Sequence, residues 1–263
     1  REIEPGEVVV CTKDGIESIH PFPNAHSRPC VFEFIYFARP DSVIGGKSVY
    51  DVRKKMGHEL ARESHVPSDM VIPVPDSGVP AAIGYGLEAG VPFELGIIRN
   101  HYVGRTFIEP SQHIRALGVK LKHNANRALV EGKRIVLVDD SIVRGTTSVK
   151  IVKMMYEAGA KEVHMRIASP PITHPDFYGI DTPNKEQLLA ANYDVEGMRQ
   201  YIGVDTLAFI SVPGLYRAMG YEYRDEDAPQ LTDHCFTGCY PTKLTDLTDS
   251  KRSDQLSLLA EIA

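Results

Sequence analysis

The chain reads as an α/β protein, a mostly parallel sheet flanked by helices. Three observations predict this. A continuous apolar, β-branched run at 135–138 is followed by a short loop and then by Val149, Val152 and Tyr156 at helical spacing. A second run at 71–74 leads through Pro75-Asp76-Ser77-Gly78 into a helical stretch at 81–89 and a further apolar run at 93–98. Val163, Met165 and Ile167 alternate as a strand, and 207–212 reads as one more, with a short helix after it. At least five strands alternating with helices are expected.

Bulk properties narrow the function classes. The formal net charge is −6 with no basic block, which argues against nucleic acid as the main partner. No apolar run is long enough to cross a bilayer, and the start does not read as a signal peptide, so no membrane association is expected. The four cysteines, Cys11, Cys30, Cys235 and Cys239, are too few and too scattered for a disulfide framework. A reduced, cytoplasmic setting is the expectation.

In chain order, residues 1–20 read as a hairpin, with Val8, Val9 and Val10 in one strand and Lys13-Asp14-Gly15 as the turn. Residues 21–29 are a linker with three prolines. The aromatic run 30–38 reads as a strand. Ser48 offers an N-cap, and Val49, Val52, Met56 and Leu60 place one apolar stripe on a helix reaching about Glu63. The βα loop at 75–78 is a candidate anion site. Residues 99–127 carry many basic groups and little periodicity; so long a loop reads as a lid over an anionic ligand. Gly159 closes the helix after the central strand. Residues 221–263 read as a C-terminal extension on the domain surface, frayed at its end. The expected division is 1–29, 30–220 and 221–263.

The chemistry concentrates after the run at 135–138. Asp139 and Asp140 stand where that strand ends, and Ser141, Gly145, Thr146 and Thr147 form the loop into the next helix. Gly145 lets the backbone turn tightly. Thr146 and Thr147 offer capping hydroxyls, and a helix N-terminus directs unpaired N–H groups at an anion. The carboxylates would repel a phosphate. They suit a sugar diol or a hard cation such as Mg²⁺. Phosphate, diol and cation together describe a phosphorylated ribose.

Val138-Asp139-Asp140-Ser141-Ile142-Val143-Arg144-Gly145-Thr146-Thr147 resembles the phosphoribosyl-pyrophosphate (PRPP) loop of type I phosphoribosyltransferases, and is most similar to that of the glutamine PRPP amidotransferases. Three more segments resemble that family: Arg99-Asn100-His101-Tyr102-Val103-Gly104-Arg105-Thr106-Phe107-Ile108, Phe177-Tyr178-Gly179-Ile180-Asp181, and Phe34-Ile35-Tyr36-Phe37-Ala38-Arg39-Pro40-Asp41-Ser42. The resemblance spans roughly residues 1–245.

The resemblance implies a type I phosphoribosyltransferase fold. It implies transfer of the phosphoribosyl group of PRPP to ammonia, giving 5-phosphoribosylamine and pyrophosphate, in purine synthesis. It makes the N-terminal hairpin the remnant of a glutaminase domain, whose N-terminal cysteine has no counterpart in a chain beginning with Arg1. The expectation is an ammonia-dependent fragment, in a homo-oligomer inhibited by purine nucleotides. It assigns Asp139, Asp140, Arg105 and Tyr102 to catalysis. It assigns Asp76, Ser77, Gly78, Arg99, Gly104, Ser141, Val143, Arg144, Gly145, Thr146 and Thr147 to PRPP, and Ser77, Asp139 and Asp140 to the shell of Mg²⁺. Some relatives have a further serine where this chain has Gly78. Transfer to a purine or pyrimidine base, or non-catalytic PRPP sensing, are the alternatives.

Some family members carry an iron–sulfur cluster. Cys30 and Cys235 fall where two of its thiolates would lie. Asp176 stands where those members have cysteine, Thr232 stands where a partner thiolate would be expected, and Cys239 lies off the pattern. A cluster needs four thiolates or close substitutes, so none is expected.

Overall fold

The computed structural model describes residues 3–22, 26–100, 123–180, 182 and 184–244. At its centre is a four-stranded sheet, all neighbours parallel, in the order β10-β9-β8-β5. These strands are β5 (Met70–Pro73), β8 (Arg134–Asp139), β9 (Glu162–Ile167) and β10 (Thr206–Phe209). Along β8, Val136 and Val138 join one core with helices α1 (Val49–Ser64) and α2 (Val79–Ala89). Ile135 and Leu137 join a second core with α4 (Thr146–Glu157). Both faces are therefore covered, which is why the strand is apolar from Ile135 to Val138.

Local signals explain most boundaries. Ser48 caps α1, its side chain accepting from the Asp51 N–H, and Val49, Val52, Met56 and Leu60 are all buried. Gly159 follows α4 in a Schellman arrangement: its N–H donates to the Tyr156 carbonyl at 2.9 Å, and the Ala160 N–H to that of Met155 at 3.1 Å. The N-terminal strands β1 (Val8–Thr12) and β2 (Gly15–Ile19) form the expected antiparallel hairpin, and β3 (Val43–Ile44) and β4 (Lys47–Ser48) pair antiparallel just before α1. The short helices α3 (Arg127–Val130), α5 (Leu189–Asn192) and α6 (Val195–Ile202) lie between the later strands.

Several expectations need correction. Residues 30–38 are no strand. After a single bridge between Cys30 and Thr232, they wind into a π-helical turn over Glu33–Phe37. The carbonyls freed at its end are taken up by the buried Arg53 guanidinium, which donates to Phe34 at 2.7 Å and to Ala38 at 2.8 Å. Residues 93–98 are not a fifth strand of the sheet. Phe93 makes one parallel bridge to Val71, and the chain then departs into β6 (Ile97–Arg99). β6 pairs antiparallel with β7 (His123–Ala125), so the two ends of the basic segment lie side by side. Val212 opens helix α7 (Val212–Ala218), because Ser211 caps it by accepting from the Gly214 N–H. The C-terminal segment is not merely superficial: Leu231, Cys235 and Phe236 are buried in the first core. Its end, 245–263, lies outside the described residues.

Candidate phosphoribosyl site

The site forms at the C-terminal edge of the sheet, where open α/β folds bind ligands. Two loops meet there: 74–78 after β5 and 140–147 after β8. They line a cavity of about 840 Å³ with Asp76, Ser77, Arg99, Asp139, Asp140, Ser141, Val143, Arg144, Gly145, Thr146 and Thr147 all on its wall. The structure thus brings together, from these two loops and from β6, nearly every residue the sequence pointed to. Tyr102, Gly104 and Arg105 lie outside the described residues.

Asp139 and Asp140 are both buried, at 7% exposure each. The Asp140 N–H donates to Asp139 Oδ1 at 2.9 Å, and the Ser141 hydroxyl donates to Asp140 Oδ2 at 2.5 Å. Burial, and then the charge of Asp140 beside it, holds the Asp139 carboxyl well above its ordinary value. Such a pair favours any cation or diol that enters.

The phosphate-cradle geometry differs from expectation in one respect. Neither threonine caps α4. Gly145 is the N-cap, at φ +75°, with no side-chain capping bond. The N–H groups of the first turn are therefore left for a ligand. Gly145 is required twice over, by its left-handed backbone and by space: a Cβ there would come within 2.7 Å of Leu189 Cδ2. The Leu189 N–H, donating to the Val143 carbonyl at 2.9 Å, pins the same loop.

Gly78 carries no side chain into the cavity. A Cβ on it would meet the Val138 carbonyl oxygen at 2.4 Å, so its role is to seat the 74–78 loop against β8. Asp76 accepts a close hydrogen bond from Arg99 Nη1, which holds this guanidinium over the loop. The Pro75–Asp76 peptide is cis. Tyr36, Phe37 and His123 also line the cavity. The first two lie in a segment whose resemblance was visible, yet reading it as a strand hid that they flank the site.

The cysteines sit elsewhere. Cys30 bridges Thr232, whose hydroxyl donates to the Arg28 carbonyl. Asp176, His234 and Cys235 converge in a buried cluster with their ligand atoms within 4.8 Å of one another. The cluster offers one thiol, one imidazole nitrogen and one carboxylate oxygen. Among the described residues no helix is long and apolar enough to cross a membrane.

Comparison with known proteins agrees with this geometry. The phosphoribosyl transferase domain profile matches residues 51–168. The amidophosphoribosyltransferase of Rhizobium etli is 62% identical over 266 residues, covering 99% of this chain and 54% of that protein. That of Bacillus subtilis is 54% identical over 244 residues, covering 93% and 51%. A solved structure of glutamine PRPP amidotransferase from B. subtilis, complexed with ADP and GMP, superposes with a TM-score of 0.83 at 53% identity, over 92% of this chain and 53% of that one. The chain spans about half the length of the curated relatives it matches. It carries a type I phosphoribosyltransferase domain and is homologous to the phosphoribosyltransferase part of the amidophosphoribosyltransferases.

Proposed function

We propose that this chain transfers the phosphoribosyl group of PRPP to ammonia, releasing pyrophosphate and forming 5-phosphoribosylamine, the first step of purine nucleotide synthesis. One observation carries the reading: a buried carboxylate pair and an uncapped helix N-terminus share one cavity at the sheet edge. The kinship with amidophosphoribosyltransferases favours ammonia over a nucleobase as acceptor.

In this reading the α4 N–H groups and the Thr146 and Thr147 hydroxyls hold the 5-phosphate, with Ser141, Val143 and Arg144 completing the loop. Asp139 and Asp140 hold the ribose hydroxyls. As positive charge develops at C1 of the ribose, both carboxylates favour it, and the site is built before the reaction begins. The 74–78 loop receives the pyrophosphate, which competes with Asp76 for Arg99. The hard oxygen donors of Ser77, Asp139 and Asp140 suit Mg²⁺, which when bound neutralises charge on the departing pyrophosphate. Feedback by purine nucleotides, homo-oligomeric assembly and a cytoplasmic setting belong to the same reading. The first of these is supported by the nucleotides bound in the B. subtilis structure.

The test is pyrophosphate release from PRPP and Mg²⁺ at alkaline pH with ammonium, alongside calorimetric titration with PRPP. Ammonium-dependent release is expected. Absence of both pyrophosphate release and PRPP binding would overturn the assignment. Glutamine in place of ammonium reports whether an ammonia source accompanies the chain.

A further inference from the structure

We propose that Asp176, His234 and Cys235 form a binding site for one zinc-class divalent cation. None of the three lines the phosphoribosyl cavity, so the inference stands apart from the proposed reaction. The three are 8%, 1% and 2% exposed. Buried groups of this kind need a common purpose, because an unsatisfied polar atom in the interior is costly.

The geometry points to a single ion. His234 Nε2 lies 2.8 Å from Asp176 Oδ2 and 3.5 Å from Cys235 Sγ. One imidazole nitrogen thus faces both partners. A catalytic relay would use both ring nitrogens, one for each partner. Zinc bonds of about 2.0–2.3 Å in a tetrahedron put neighbouring donors roughly 3.3–3.6 Å apart. The Nε2–Sγ separation falls in that range and the Nε2–Oδ2 separation just below it, so an ion enters by parting His234 from Asp176.

The surroundings hold the donors in place. Asp176 Oδ1 accepts the N–H groups of Tyr178 at 2.7 Å and Ile180 at 2.9 Å, which turns Oδ2 towards His234. The His234 ring lies between Tyr178, edge-on at a centroid distance of 5.3 Å, and Tyr240, stacked at 4.8 Å. Its buried Nδ1 has no hydrogen-bond partner among the described residues. One nitrogen, one sulfur and one carboxylate oxygen form a mixed set that selects zinc over magnesium or calcium. Binding releases the thiol proton of Cys235 and leaves the imidazole proton on Nδ1. The ion would staple the turn after Asp176 to the C-terminal helical turn α8 (His234–Thr237).

The full chain, stripped of metal and then dialysed against Zn²⁺ or Co²⁺, tests this. Uptake of about one ion per chain is expected, with a thiolate-to-cobalt charge-transfer band and a fall in melting temperature on chelation. Cys235→Ser should abolish the band. Asp176→Asn keeps the oxygen that accepts from Tyr178 and Ile180, so it should fold, bind PRPP as before and lose zinc affinity by about 10-fold or more. No uptake by the native chain would overturn the proposal, as would uptake unchanged in both variants. So would a chromophore with several irons and sulfide.

Discussion

The Val138 carbonyl oxygen sits where a side chain on Gly78 would have to go. A Cβ there would lie 2.4 Å from it, and the same oxygen accepts the Val74 N–H at 2.8 Å. The loop after β5 is thereby seated on the strand that ends in Asp139. Gly78→Ala should therefore force the two loops apart. Overpacking of this kind costs about 1–3 kcal/mol. The expected outcome is a lower melting temperature together with weaker PRPP binding by calorimetry. A variant that melts and binds as the wild type would show that the two loops are not coupled.

Asp139→Asn and Asp140→Asn should each reduce ammonium-dependent pyrophosphate release well over tenfold, because each takes an ionisable carboxyl from the pair that faces the developing ribose cation. The fold should persist, since an amide oxygen still accepts the Asp140 N–H. Steady-state rates beside circular dichroism decide the matter. Near-normal turnover in both variants would sink the assignment of the pair.

The same carboxyl predicts a pH dependence of stability. Burial and Asp140 raise Asp139 in the folded chain, so the native state keeps a proton that the unfolded state releases. The stability it leaves is full below the ordinary carboxylate value of about 4 and is lost as pH rises through the folded value. Asparagine does not ionise. Asp139→Asn should melt close to wild type at acid pH and increasingly above it towards alkaline pH, while losing activity. A melting difference that stays constant with pH would show that Asp139 ionises without penalty.

The Arg53 guanidinium holds the turn that carries Tyr36 and Phe37 to the cavity. Lysine keeps the charge but not the fork that serves the Phe34 and Ala38 carbonyls together. Arg53→Lys should leave a buried carbonyl unpaired, at about 1–3 kcal/mol. Denaturant titration should show that loss, and PRPP affinity should fall with it as the aromatic pair shifts. Loss of stability with unchanged affinity would separate the turn from the site.

Much of this was legible in the chain. A parallel strand covered on both faces carries a continuous apolar run, so β5 and β8 announce themselves. Ser48 and Gly159 mark helix ends through hydrogen bonds within a few residues. Asp139, Asp140, Gly145 and the threonines lie between the end of one strand and the start of the next helix, so their closeness could be read from order alone. The corrections fall where local pattern is silent. Residues 30–38 are as apolar as a strand, yet an arginine from a later helix satisfies their carbonyls and lets them coil. Residues 93–98 look like a sheet strand, but they pair with β5 only around Phe93 before the chain turns to meet β7.

The sequence alone determined the α/β class, the alternation of strands and helices and the position of the loop after the central strand, because periodic burial and short-range hydrogen bonds are written in neighbouring residues. Tertiary structure alone decided which aromatic side chains flank the cavity and that Gly78 meets Val138. It alone brought Asp176 to His234 and Cys235. Those contacts join segments far apart in the chain, and their distances depend on the path between them, which no local pattern encodes.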